Sequence, residues 1–373
     1  MTPPAPPSTV PGSASGSCAA TEAEAMARAL ALAWRGWGRV QPNPLVGAVV
    51  LRDGAIVAEG WHAEYGEAHA ERAALAAAGE RARGATLVVT LEPCAHHGKQ
   101  PACTDAVLAS GVRRVVAALA DPNPLARGGA ERLRAAGIDV AIGLGADAAA
   151  AQNAIFLHTL RGEERPFVAL KLATSLDGRI ADAGGASRWL SGPEAREWVQ
   201  WLRAGYDAIG VGAGTARADD PSLTVRGPLP PRRSPLRVVF DRHAGLAADS
   251  TLAHTAREVA TVVVAEPGAR GDALRAEGVE LIEAHGLAAQ LAALRARGVA
   301  SLLVEGGGRL AGALVGAGLV DRFYWVQSPC WLGDGGVPAF AGVPDTPIAQ
   351  APRWHVVERQ ALGADTLLVC DRS

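Results

Sequence analysis

The chain has 373 residues, 49% hydrophobic and 20% charged, which argues for two domains and excludes wholesale disorder. Lys+Arg 36 against Asp+Glu 38 leaves a net charge of −2, which speaks against a coat for a polyanion, and no apolar run nears the ~18–20 residues that span a bilayer. The five cysteines (Cys18, Cys94, Cys103, Cys330, Cys370) form no even framework, so a disulfide-stapled secreted fold is not expected and the chain reads as cytoplasmic.

Residues 1–20 are rich in Pro, Ser, Gly and Ala, with no charged n-region or apolar h-region, and read as a disordered tail. Thr21 and Glu24 then match a capping box, and Met26, Leu30, Ala33, Trp34 and Trp37 recur at helical spacing. Apolar runs at 45–51 and 56–61 flank Asp53-Gly54 and predict a hairpin. Helices are expected over 68–82, 103–110 and 127–136, alternating with strands over 86–91, 113–120 and 138–142: a layered α/β domain. An Ala-rich stretch at 145–165 reads as the boundary, set between 164 and 165 within Arg161-Gly-Glu-Glu-Arg-Pro166. The alternation then restarts, with strands over 167–173, 208–212, 236–241, 260–265, 279–283 and 301–304 and helices over 193–204, 287–297 and 308–317. Strands over 319–328, 353–358 and 366–370 close a second α/β domain.

The most specific feature is His69-Ala-Glu71 followed by Pro93-Cys94 and Cys103. Zinc deaminases carry H-x-E and P-C-x-x-C, with one His and two Cys on the metal and a Glu that is not a ligand. Here eight residues, not two, separate the cysteines. Thiolate and imidazole suit a tetrahedral zinc with one position left for water, and an adjacent carboxylate can move that water's proton to a departing amine. Residues two apart on a helix point roughly 200° away from each other, so His69 and Glu71 share a site only off the helix N-terminus, where the predicted helix begins. Cys103 likewise opens a helix, where the dipole favours a thiolate. Zn2+ is therefore expected on His69, Cys94 and Cys103, with Glu71 catalytic. A structural zinc with His96 or His97 as fourth ligand is the alternative.

Gln41-Pro-Asn-Pro-Leu-Val-Gly47, Gly60-Trp-His62, His69-Ala-Glu71 and the run Leu91–Cys103 resemble the deaminase domain of the bifunctional riboflavin-biosynthesis deaminase/reductase family, whose inter-cysteine gap is the one seen here. Lys171-Leu-Ala-Thr-Ser-Leu-Asp-Gly178, the run Ala216–Arg226 and Val304-Glu-Gly-Gly-Gly308 are similar to its reductase domain, so the resemblance covers about 21–373. It implies a cytidine-deaminase-like α/β domain followed by a dihydrofolate-reductase-like α/β domain. It also implies hydrolytic deamination of a phosphoribosylated diaminopyrimidine, then NADPH-dependent reduction of its ribosyl group to ribityl. Substrate contacts carried over are Asn43, His62 and Lys99 in the first domain and Lys171, Ser187, Arg203, Leu223, Arg226 and Glu305 in the second. Cofactor contacts carried over are Ala173, Trp189, Thr215, Asp219, Gly307, Gly308, Arg309, Leu310, Ala311, Gly312 and Ala313. The family often has serine after the strand-end Asp241; Arg242 stands there, which leaves that contact unassigned.

Read without the family, Glu305-Gly-Gly-Gly308 between a strand and a helix suits a phosphate at a helix N-terminus, whereas Gly210-Val-Gly-Ala-Gly214 falls short of the G-x-G-x-x-G fingerprint. Arg203 and Arg226 suit phosphate or ribityl contacts, against a solvated helix face and a loop charge as the plain alternatives. Trp198 and Trp201 read as packing residues. Lysine occurs only at Lys99 and Lys171, both inside these motifs, which points to places where arginine will not serve. A homo-oligomer acting on a small phosphorylated pyrimidine is expected, with no nucleic-acid or membrane partner. The rivals are a nucleic-acid deaminase, which would need a basic or aromatic strand-binding surface, and a zinc-stabilised scaffold, for which Glu71 has no use.

Overall fold

The computed structural model describes residues 20–96, 98 and 100–372. The expected tail, His97 and Lys99 lie outside the described residues, apart from Ala20. The chain divides between Arg161 and Gly162 into two compact units, a few residues before the boundary expected from sequence.

The N-terminal unit contains α1 (Glu22–Ala33), β1 (Gly47–Arg52), β2 (Ala55–Trp61), α2 (Ala70–Ala78), β3 (Thr86–Leu91), α3 (Cys103–Ser110), β4 (Arg114–Leu119), α4 (Gly129–Ala135), β5 (Asp139–Ile142), α5 (Ala146–Gln152) and α6 (Ala154–Leu160). Its five strands run in the order β2-β1-β3-β4-β5. The pairs β1–β2 and β1–β3 are antiparallel, β3–β4 and β4–β5 parallel. Thr21 makes the capping box with Glu24, and Asp53 and Gly54 both take positive φ in the hairpin turn. β3 is buried at every position because helices cover both faces of the sheet. Val49, Val88 and Val116 pack against Met26, Ala29 and Leu32 of α1, while Val50, Leu87 and Val115 pack against Ala70 and Ala74 of α2 and Leu133 of α4.

The helix expected over 68–82 is α2 followed by a 3-10 turn at Gly79–Ala82, broken where Gly79 leaves helical backbone at φ 54. Trp34 lies in a 3-10 turn and Trp37 just beyond it, not on α1. The Ala-rich boundary stretch is helical and belongs to this unit. Between α5 and α6, buried Asn153 exchanges hydrogen bonds with the backbone of Leu45, and Gln152 donates to the Leu30 carbonyl.

The C-terminal unit contains β6 (Phe167–Thr174), β7 (Arg179–Ala181), α7 (Pro193–Ala204), β8 (Ala208–Gly212), α8 (Ala213–Asp219), β9 (Leu236–Phe240), α9 (Thr251–His254), β10 (Thr261–Ala265), α10 (Asp272–Glu277), β11 (Glu280–Glu283), α11 (Gly286–Ala296), β12 (Ser301–Glu305), α12 (Gly308–Gly316), β13 (Arg322–Gln327), β14 (Val337–Pro338), β15 (Trp354–Leu362) and β16 (Asp365–Arg372). Nine strands form one sheet in the order β11-β10-β9-β8-β12-β6-β13-β16-β15, and β14 pairs with β7 apart from it. The pairs from β11 to β13 are parallel and the last two antiparallel. The parallel part brings the carboxyl ends of β6, β8, β9 and β12 to one edge of the sheet, where ligands of open α/β sheets bind. Trp198 and Trp201 are buried on α7, Trp198 edge-on to Tyr324, so packing accounts for both.

Candidate active sites

The first site is assembled by two close backbone approaches. Gly60 on β2 brings α2 so near that a Cβ there would sit 2.4 Å from the Ala74 nitrogen and 2.5 Å from the Ala70 carbonyl oxygen. Gly129 similarly admits the Pro93 carbonyl, 1.8 Å from its own missing Cβ. Glu92, buried where β3 ends, accepts hydrogen bonds from the Asp121 and Ala130 amides and pins the turn carrying Cys94. Cys103 opens α3, its amide donating to Cys94 Sγ at 3.4 Å. His69 is the extended N-cap residue of α2, with Glu71 in the first turn. The off-the-N-terminus arrangement inferred from the spacing is thus the arrangement found.

His69 Nδ1 lies 3.2 Å from Cys103 Sγ and 3.7 Å from Cys94 Sγ, and the three ligand atoms all fall within 4.8 Å of one another. Zn–S and Zn–N bonds of about 2.3 and 2.0–2.1 Å fit inside such a triangle, and an imidazole–dithiolate set suits zinc. His96 lines the same cavity but does not join the cluster, so among the described residues a metal there would have three protein ligands and one position left. That is the catalytic rather than the structural pattern. Hydrogen bonds from Cys103, then His69, outweigh burial and draw the Cys94 thiol down to about 4, while Cys103 is held up by Cys94 and burial. Burial pushes the Glu71 carboxyl up to about 7, against the opposing pull of its own backbone amide and His69.

The cavity, ≈ 260 Å³, is lined by Asn43, His62, His69, Glu71 and Cys94. Asp121 and Asn123, which sequence reasoning missed, line it too. Their only signal was position, an Asp-Pro-Asn-Pro loop at the carboxyl end of β4. His62 is buried; burial, then His69's charge, lowers its basicity against the opposing Ala68 carbonyl.

The second site is a cavity of ≈ 1400 Å³ at the carboxyl edge of the nine-stranded sheet. Lys171 and Ala173 reach it from β6, Ser187 and Trp189 from the loop between β7 and α7, Arg203 from α7, and Thr215 and Asp219 from α8. Leu223, Arg226 and Glu305 line it, with Gly307, Gly308, Arg309, Leu310 and Ala313. Ala311 and Gly312, expected as cofactor contacts, do not: Ala311 is in the core and Gly312 lies against the Ala341 carbonyl, because the helix turns those positions inward. Gly306 and Gly307 take φ of 70° and 83°, and a Cβ on Gly307 would meet Thr215 Oγ1 at 2.8 Å. The amide end of α12 is thereby bared to the cavity, a cradle suited to a dinucleotide phosphate.

Arg203 lines the cavity already paired. Its guanidinium forks onto Glu305 at 2.6 and 3.0 Å and donates to the Thr224 carbonyl, so it is an ion-pair member before any phosphate arrives. Burial alone would raise Glu305; the charge and hydrogen bonds of Arg203, with Lys171, outweigh it and hold the carboxyl below its ordinary value. Lys171 stands opposite Glu305 in the β6–β12 register, and burial, reinforced by Arg203, lowers its ammonium against the pull of Glu305. Exposed Arg226 and Arg242 also line the cavity.

A zinc-ligand cluster beside a buried carboxylate, and a Gly-cradled nucleotide cavity on a second α/β unit, define a two-domain enzyme of deaminase and reductase type. Residues 20–119 match the cytidine and deoxycytidylate deaminase zinc-binding region, and residues 166–368 match the RibD C-terminal domain. The riboflavin biosynthesis protein RibD of Escherichia coli (strain K12) is 42% identical, covering 92% of this chain and 97% of that protein. The RibD of Mycobacterium tuberculosis is 40% identical, covering 92% and 96%. Acinetobacter baumannii RibD superposes with a TM-score of 0.78 at 36% identity, covering 94% of this chain and 99% of that one. The diaminohydroxyphosphoribosylaminopyrimidine deaminase/5-amino-6-(5-phosphoribosylamino)uracil reductase of Thermotoga maritima gives 0.79 at 36%, with the same coverage. The chain belongs to the RibD family of bifunctional riboflavin-biosynthesis enzymes.

Proposed function

We propose that this chain first replaces the pyrimidine 2-amino group of 2,5-diamino-6-hydroxy-4-(5-phosphoribosylamino)pyrimidine with oxygen, releasing ammonia, and then reduces the ribosyl C1′ to give a ribityl chain. One observation carries the reading: three zinc-ligand atoms within 4.8 Å of one another beside a buried glutamate, in a family of deaminase/reductases. When bound, zinc makes a coordinated water acidic near neutral pH and so supplies the nucleophile. Glu71, with a carboxyl near 7, takes the proton from the attacking water and returns it to the departing nitrogen. Burial keeps bulk water from short-circuiting that transfer.

In the second unit, the bared end of α12 and Thr215 would hold the phosphates of NADPH, which would supply the hydride when bound. Lys171 would sit against the ribose, where its ammonium can give a proton to the ring oxygen as the C1′–O4′ bond breaks. Arg203 orients Glu305, and Arg226 takes the substrate phosphate. Lys99 serves the phosphate in the deaminase step. On this reading the enzyme works in the cytoplasm as a homo-oligomer on a free phosphorylated pyrimidine, not on a nucleic acid or at a membrane. Zinc-loaded protein given the pyrimidine should release ammonia without NADPH and oxidise NADPH only after deamination; NADPH oxidation with no ammonia would refute the assigned order.

A further inference from the structure

His62 lines the deaminase cavity yet is only 2% exposed, and both its ring nitrogens are already engaged. Nδ1 lies 3.2 Å from the Ala68 carbonyl oxygen and Nε2 lies 3.1 Å from Asn43 Nδ2. A carbonyl oxygen can only accept, so Nδ1 must carry the proton. In the neutral ring Nε2 is then a bare acceptor, and the Asn43 atom facing it must be the amide nitrogen. That leaves Asn43 Oδ1 as the group offered to a ligand, and an amide oxygen accepts without donating.

We propose that His62 is a positioning residue rather than a substrate contact. It locks the Asn43 carboxamide so that Oδ1 meets a hydrogen-bond donor, an N–H or O–H, of the pyrimidine substrate. The chain of constraint runs from a backbone carbonyl through an imidazole tautomer to an amide orientation. A substrate offering an acceptor at that point finds no partner, and its unpaired polar group is penalised. The assignment of the substrate rests on the functional reading above.

The test uses the different reach of two amides. Gln places an acceptor where histidine has Nε2, and Asn places a donor where it has Nδ1. In the zinc-loaded full chain, His62→Asn should keep the Ala68 bond but lose Asn43, raising KM for the pyrimidine about tenfold with kcat changed less. His62→Gln should recover most of that loss. In an Asn43→Ala background, His62→Asn should add less than about twofold, because the residue acts only through its partner. Multiplying effects, or His62→Asn indistinguishable from the wild type, would overturn the proposal. Nitrogen-15 NMR of the wild-type histidines reads the tautomer independently of activity and of whether any variant folds or holds zinc. A protonated Nδ1 with bare Nε2 at His62 supports the proposal, and the opposite tautomer refutes it. A wild-type chain that releases no ammonia from the pyrimidine would instead refute the functional reading, with the tautomer still deciding this one.

Discussion

Replacing Gly60 by alanine should damage deamination without touching any group that does chemistry. The added methyl would lie 2.4 Å from the Ala74 nitrogen and 2.5 Å from the Ala70 oxygen, where ordinary contact begins at 3.4 Å. Both obstacles are backbone atoms of α2, so no side-chain rotation relieves them; strand and helix must part by about 1 Å. His69 and Glu71 ride on the first turn of that helix, whereas Cys94 and Cys103 are held by β3's end and α3. The shift therefore moves one ligand and the carboxylate away from two fixed sulfurs. Metal sites tolerate about 0.2 Å, and a 1 Å misplacement of a reacting group costs about 10²-fold. Overpacking should also remove about 1–3 kcal/mol of stability. Ammonia release and zinc affinity measured on Gly60→Ala, with the reductase step as internal control, decide the matter. Deamination and zinc affinity equal to the wild type would refute the idea that Gly60 sets the helix position.

Glu71→Gln should retain zinc by metal analysis while losing about 10²- to 10⁴-fold in ammonia release, whereas His69→Ala or Cys103→Ala should lose the metal itself. A chelator that strips zinc should abolish ammonia release yet leave NADPH oxidation when the deaminated intermediate is supplied, with circular dichroism checking that the chain stays folded. Lys171→Arg should slow reduction and spare deamination in separate assays of the two steps, because a guanidinium neither fits nor changes protonation as an ammonium does. Arg203→Leu strands a buried carboxylate and should cost about 3–5 kcal/mol, nearer the lower figure because Lys171 remains opposite Glu305, read by hydrogen exchange on β6 and β12. Glu305's folded pKa is depressed, so its contribution is present above the unfolded value of about 4.3 and fades as pH falls through the folded one; Glu305→Gln should flatten that acid limb.

The zinc site was legible because its chemistry demands particular residue types at element boundaries. His69, Glu71 and Cys103 each sit where a helix begins, a position that the apolar pattern locates although neither helix has a side-chain N-cap. Short continuous apolar runs such as β3 and β12 were equally readable. Residues 146–160 were not, since alanine-rich helices carry little hydrophobic contrast and are held by Asn153 and Gln152 through bonds reaching more than a hundred residues back. The short helices α8, α9 and α10 offer too few turns for a period to emerge. Asp121 and Asn123 went unseen because only strand order puts their loop beside Cys94. The Arg203–Glu305 pair joins residues 102 apart, and pattern alone read each as a separate ligand contact. Inward-facing Ala311 and Gly312 show the limit of transferring a contiguous run: helix geometry turns two of its members away from the cavity.

The central claim is that one chain carries out both a zinc-dependent deamination and a hydride transfer on the same substrate. The most direct measurement gives the zinc-loaded protein the phosphoribosylated diaminopyrimidine with NADPH deuterated at both C4 positions, following ammonia and product mass together. One ammonia per pyrimidine and one deuterium on the ribityl C1′ are the expected result. Ammonia without deuterium transfer, deuterium in a product that keeps both amino groups, or neither, would contradict it.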